Sequence, residues 1–421
     1  MFRFILTISI MLFIMVYGNA FSQDTAGADD PFNTDEFDAS VKESIAEDTT
    51  SKPEILFGGS FVFQTEVITG PDFGGYASSS LSGKPFVKIS DPRLGAMFLS
   101  YNLSNKIFQA TNDSSYILPS GPYSADNVFV LEYSLSEFFI DFDFNKAVYI
   151  RAGNQINSWG ASFFWTPVDF VNLEQSAGFE TLDLRQGIPA IKTQIPFPSG
   201  TVTLLFDFTD SVESGNINNI FYGTNAAVRI DAVLGGFAWG LTGFINGTED
   251  RLVTKYGFDA AGSILGFDIY TEHAMAFHYT GAATITAEFD GYSASIGFER
   301  TAGELSDWII RAEFFYNSTG TDDTQAAILD PPFTPFSIGK YYAFAGISKQ
   351  NSFADFVDTA ISAIVNFSDL SFSIRFSNTF SITGVMPLKV SIIYFGGEKG
   401  DEFTLYKANI AAASIELQFV F

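Results

Sequence analysis

YIRAGNQINSWGASFFWTPVDFVN, residues 149–172, joins two textures. In its first half, Val148, Ile150, Ala152 and Ile156 share one face of an extended chain. Tyr149, Arg151, Gly153, Gln155 and Asn157 share the other. That alternation is the mark of a strand with one apolar and one polar face. The second half carries Trp159, Phe163, Phe164, Trp165, Phe170 and Val171, which is too apolar for a connection left in water. An amphipathic strand therefore runs into a loop that needs somewhere to bury its rings.

The same period of two recurs outward from this stretch. Val202, Leu204, Phe206 and Phe208 oppose Thr201, Thr203, Asp207 and Thr209. Ile310, Ala312, Phe314 and Tyr316 oppose Arg311 and Glu313. Phe372, Ile374 and Phe376 oppose Ser373, Arg375 and Ser377. Turn residues separate these runs, which makes the chain all-β from about residue 54 onward. A soluble sandwich would pack its apolar faces together, whereas a membrane barrel turns them to lipid and lines its lumen with the polar ones.

Three features favour the barrel. The first is composition: Phe alone numbers 48, aromatics reach 16%, and charged residues are only 17% against about 25% in soluble domains. The second is the rhythm of connections. Short ones fall at 90–93, 143–146, 196–200, 234–236, 263–266 and 381–387; long ones fall at 104–125, 158–186, 211–222, 318–338 and 397–411. Short turns on one side and long loops on the other are the pattern of outer-membrane barrels. Strands counted this way number 18, with 16–18 favoured and 14 the lower bound.

The third is a leader. Residues 1–22 read as a signal peptide, with Arg3 ahead of an apolar run from Phe4 to Val16. Residues 23–53 form an acidic segment, a periplasmic tail or a plug, with nine acidic residues and one base between Asp24 and Asp48. Residues 54–421 are then the barrel. Later segments have no apolar run long enough for a membrane helix. A net charge of −26 argues against nucleic acid as a partner, and zero cysteines exclude thiolate chemistry and a lipid-attachment cysteine.

The chain ends on Ser414–Phe421, SIELQFVF, where Ile415, Leu417, Phe419 and Phe421 alternate with polar residues. This resembles the assembly signal of bacterial outer-membrane barrels, with Phe419 and Phe421 as its aromatic positions. Arg151 to Gln155, Trp159-Gly160, Pro167 to Asp169 and Asn172 together resemble a porin-like family of outer-membrane barrels. Arg185 to Pro189, Ala312 to Asn317, Tyr341-Tyr342 and Asn366 to Asp369 fit the same family. The resemblance spans about 54–421 and implies a barrel in the bacterial outer membrane. Its partners are then outer-membrane lipid, the barrel-assembly machinery, an unidentified small solute and possible further copies of itself.

No catalytic set is legible, so no enzyme, cofactor or metal site is expected. His273 and His278 fall on opposite faces of one strand and do not pair as ligands. The functional candidates are lumen-lining: Tyr149, Arg151, Gln155, Asp207, Arg311, Glu313 and Arg375. Residues 158–186 are the candidate constriction loop, through Trp159, Trp165, Asp169, Asn172 and Arg185. The expected function is a porin-like channel for small polar solutes or ions, with acidity favouring cations. The alternatives are a transporter of hydrophobic compounds, or an adhesin or structural barrel with a filled lumen.

Overall fold

A computed structural model describes residues 53–70, 73–91, 95–111, 130–171, 184–213, 224–247, 252–280, 286–303, 307–321, 338–404 and 410–421. The expected leader and nearly all of the acidic segment lie outside the described residues. The strands open with β1 (Glu54–Gly70), β2 (Phe73–Asp91) and β3 (Gly95–Thr111). Next come β4 (Val130–Phe144), β5 (Val148–Gln155), β6 (Ile188–Phe197), β7 (Gly200–Asp207), β8 (Asn225–Leu234) and β9 (Phe237–Gly247). They are followed by β10 (Leu252–Ile264), β11 (Phe267–Thr280), β12 (Thr286–Ala302), β13 (Trp308–Asn317) and β14 (Tyr341–Lys349). β15 (Val357–Asn366), β16 (Phe372–Thr383), β17 (Met386–Gly396) and β18 (Ile410–Val420) complete the ring.

Every strand pairs antiparallel with its neighbours in sequence, and β1 pairs with β18, so the 18-stranded sheet closes on itself. Closure leaves no unpaired edge, which is the condition for a sheet to live in hydrocarbon. Among the described residues no helix is long and apolar enough to cross a membrane; the strands do the crossing. The outward face is the apolar one: Leu241 is 55% exposed, Ile296 60% and Ile392 56%. Their inward neighbours Thr242, Ser295 and Ser391 are buried. This is the inverse of a soluble sandwich, and it makes the fold a transmembrane barrel.

Two details differ from the sequence reading. The strand expected near residue 84 begins at Phe73, because the serine-rich run Ser78–Ser82 offers no apolar alternation to mark it, yet pairs along β1 in near-continuous register. Ile156, expected on the lipid face with Ile150, is 2% exposed and buried. β5 ends at Gln155, so period two no longer governs the next side chain, and the chain has already turned inward.

Candidate functional site

The site is built from the loop that follows β5. Gln155 is fully buried, and its Nε2 donates to the Ala190 carbonyl on β6 at 3.0 Å. The Ile156 amide then donates to Glu137 Oε1 on β4 at 3.0 Å, which tips the chain into the barrel. Trp159, Phe170 and Val171 settle into an apolar cluster with Ala190, Leu205, Ala227, Phe244 and Ala274. These last five residues face inward on β6, β7, β8, β9 and β11. They are alanines and apolar residues where a wet wall would carry polar ones.

From there the loop reaches strands six and eight positions around the ring. On β11, Glu272 Oε1 accepts the amides of Ala161 and Ser162 at 2.6 and 2.7 Å, and its Oε2 accepts that of Val168 at 3.2 Å. On β13, Glu313 Oε2 accepts the amides of Phe163 and Phe164, each at 3.0 Å. Its Oε1 accepts the Trp165 amide at 2.7 Å, and Tyr270 donates its hydroxyl to Oε2 at 2.9 Å. Two carboxylates thus satisfy six loop amides. A hydrogen bond to a charged group contributes about 1.5–3 kcal/mol, and the alternative for amides buried here is no partner at all.

Gly160 permits the approach. Its φ is +120°, and a Cβ there would run into the Glu272 carboxyl group. Only glycine combines that backbone with that clearance.

Ring packing holds the loop's far side. Trp165 stacks on Phe315 at 5.4 Å and 4°, and Phe164 stacks on Phe344 at 5.6 Å. Tyr342 sits against Trp165 at 5.7 Å and is fully buried. The Tyr342 hydroxyl donates to Glu402 Oε2 at 2.8 Å and accepts the Gly339 amide at 2.6 Å. Asn366 Nδ2 also donates to Glu402 Oε2, at 2.9 Å. Glu402 opens a short 3-10 helix (Glu402–Thr404) between β17 and β18, so that connection braces the loop through Tyr342.

The sequence-predicted residues separate into groups. Arg151 faces inward but is 4% exposed: it meets Asp141 through Nε and Nη2 at 2.8 and 2.9 Å and lies 3.9 Å over the Phe139 ring. Tyr149 shares that inward face near the turn, half-buried. Asp207 accepts the Thr209 amide, the Thr209 hydroxyl and Asn225 Nδ2, which fastens the start of a short helix, α1 (Thr209–Glu213). Arg311 is paired with Glu299 on β12 and lies 4.3 Å over Phe163 of the loop. Arg375 is half-buried on β16 and faces a cavity with Arg311. Trp159 and Trp165 are buried in the two apolar clusters.

Asp169 lines a cavity of about 430 Å³ with Lys255 and Asp290. Arg185 lines one of about 390 Å³, and its carbonyl accepts from Asn102 Nδ2 and Ser136 Oγ. Asn172 lies outside the described residues. The histidines do sit on opposite faces: His273 Nδ1 is 2.6 Å from the Tyr292 hydroxyl, while His278 faces Glu288 and Asp290 at 3.1 and 3.3 Å. At the barrel seam, Phe419 pairs with Phe61 and is 36% exposed.

Sequence reading passed over Glu272, Glu137 and the Tyr342–Glu402 pair. One signal was present: inward positions Ala274 and Ala276 on β11, and Phe315 on β13, are too small or too apolar for a wet wall. A lone carboxylate beside them marks a surface that something covers.

No protein-family model matches this sequence, and no curated protein matches it. Solved structures do. OprD of Pseudomonas aeruginosa aligns with a TM-score of 0.52 at 6% identity, covering 87% of this chain and 95% of that one. OccK5 (OpdH) of the same organism aligns at 0.51 and 8% identity, covering 87% and 98%. OccAB1 of Acinetobacter baumannii aligns at 0.50 and 10% identity, covering 87% and 97%. All three are OprD/Occ outer-membrane porins. At these identities the likeness is one of fold.

Proposed function

We propose that the chain is an outer-membrane, porin-like channel that passes small polar solutes or ions by diffusion. One observation carries the reading: residues 156–171 are fastened from β5 to β11 and β13, across a ring of 18 strands. A barrel of 16 to 18 strands encloses an aqueous channel. A loop pinned across such a lumen sets a fixed aperture, because selection by size needs a wall that does not yield to the solute. Trp159, Trp165, Asp169 and Arg185 belong to that constriction or its approaches. The likeness to outer-membrane porins supports the same reading, with residues 1–22 directing export and Phe419 and Phe421 directing assembly.

Reconstitution into planar bilayers tests it. Stepwise ion current is expected, and deletion of residues 161–170 should raise the single-channel conductance. A folded barrel that stays silent with and without the loop would favour a structural or adhesive role. If the deletion leaves the current unchanged, the loop is not the constriction.

A further inference from the structure

We propose that the passage beside the loop prefers small anions, despite the chain's net charge of −26. This rests on the channel reading above and names its solute class. The loop fills one sector of the lumen, where Trp159, Phe170 and Val171 pack against β6 to β11 and exclude water. Its exposed ring is Phe163, 39% accessible. Phe163 borders a cavity of about 210 Å³ whose charged lining is Arg311, Arg375 and Lys389, with serine hydroxyls between them and no carboxylate.

The register explains why these heads share one space. Arg311 pairs with Gly346, Gly346 with Ser362, and Ser362 with Arg375, forming one row across four strands. The two middle positions are small, so the guanidinium groups at either end look across open volume. Lys389 joins from β17.

Among the described residues, several carboxylates of the lumen wall are engaged by partners of their own. Glu272 and Glu313 each accept three loop amides. Asp141 accepts Arg151, and Asp259 accepts Arg229 at 2.7 and 3.0 Å. Glu299 holds Arg311, and Glu416 lies 3.9 Å from Lys389 Nζ, yet neither borders the cavity. Glu66 acts electrostatically on Arg375 and is likewise absent from the lining. The acids therefore steady the cations from the wall, while the cation heads meet the solute. Permeation is governed by the potential at the narrow passage rather than by net charge.

The experiment is the reversal potential of the purified full barrel in a potassium chloride gradient. Wild type should show the sign of chloride permeation. R375Q and K389Q should each pull it toward zero, and K389E should carry it to the cation side. A cation-selective wild type overturns the inference and leaves the channel reading standing. So does an unchanged ion preference in conducting R375Q, K389Q or K389E barrels. If K389E does not insert, the two glutamine variants decide. A folded, silent wild-type barrel overturns the channel reading and this inference together.

Discussion

Two carboxylates decide the shape of the lumen. Glu272 has no exposed surface and gathers the amides of Ala161, Ser162 and Val168. E272A removes the acceptor of all three amides, each bond charge-assisted and worth about 1.5–3 kcal/mol. The loop should loosen while the barrel stays closed, because the strand ladder does not pass through that side chain. Higher and noisier single-channel current is expected, together with faster protease cleavage near residue 161. E272Q keeps one oxygen and should fall between; equal currents in all three proteins would refute the latch.

Gly160 offers an independent probe of the same contact. G160A drives a Cβ into the Glu272 carboxyl and strains a backbone at φ +120°, so alone it should copy E272A. In an E272A background most of that penalty disappears, since the obstructing group is gone. A double-mutant cycle on thermal unfolding should therefore be strongly non-additive. Additive values would mean that Gly160 serves only its own backbone.

At the scale of elements, the loop depends on a second connection. The 3-10 helix Glu402–Thr404 reaches it through the Tyr342 hydroxyl, which Glu402 accepts, and through Phe403, which packs against the cluster holding Phe164 and Trp165. Y342F keeps the ring beneath Trp165 but deletes the donor to Glu402 and the acceptor for the Gly339 amide. The loss should be about 1–3 kcal/mol for the buried groups left unpaired, read as a lower melting temperature. Cleavage of the β17–β18 connection should accelerate more than cleavage of the constriction loop, whose carboxylate latch survives. The reverse order would place the brace elsewhere.

How much was legible differs by element. Strands announced themselves wherever one face was greasy, so the parity of Arg151, Gln155, Asp207, Arg311, Glu313 and Arg375 was readable from neighbours alone. The start of β2 was not, because its serines mark neither face and its place is set by pairing with β1. The loop's aromatic content showed that it must be buried. Its anchors stayed hidden, since Glu272 lies 110 positions from Ser162 in the chain, and nothing local to either residue names the other. Net acidity does not decide ion preference, because charge counted over a chain says nothing of which carboxylates have partners.

For the whole molecule, everything rests on closure, which the β1–β18 ladder makes and residue 421 extends. β1 and β18 run in register from Ser60–Val420 to Thr69–Ala411. Beyond that ladder, the Gly59 amide donates to the Phe421 carbonyl at 3.0 Å, and the Phe421 amide donates to the Gly59 carbonyl at 3.1 Å. The Phe421 ring stacks on Phe61 at 5.9 Å and 11°. Residue 421 thus locks the seam at the end of the barrel that carries the short turns. Deleting Phe421 removes both bonds and the stack, a small part of a seam ten residue pairs long. The closed barrel should therefore remain folded, with a modest loss in melting temperature on refolding into lipid. Production in cells should suffer far more, if this strand is what the assembly machinery grips. The comparison is heat-modifiable barrel per cell against barrel recovered by refolding in vitro. Equal losses on both sides would make Phe421 a seam residue and nothing else. A large loss confined to cells would give it a second role in assembly, and F421Y, which keeps ring and backbone, should then restore most of the yield.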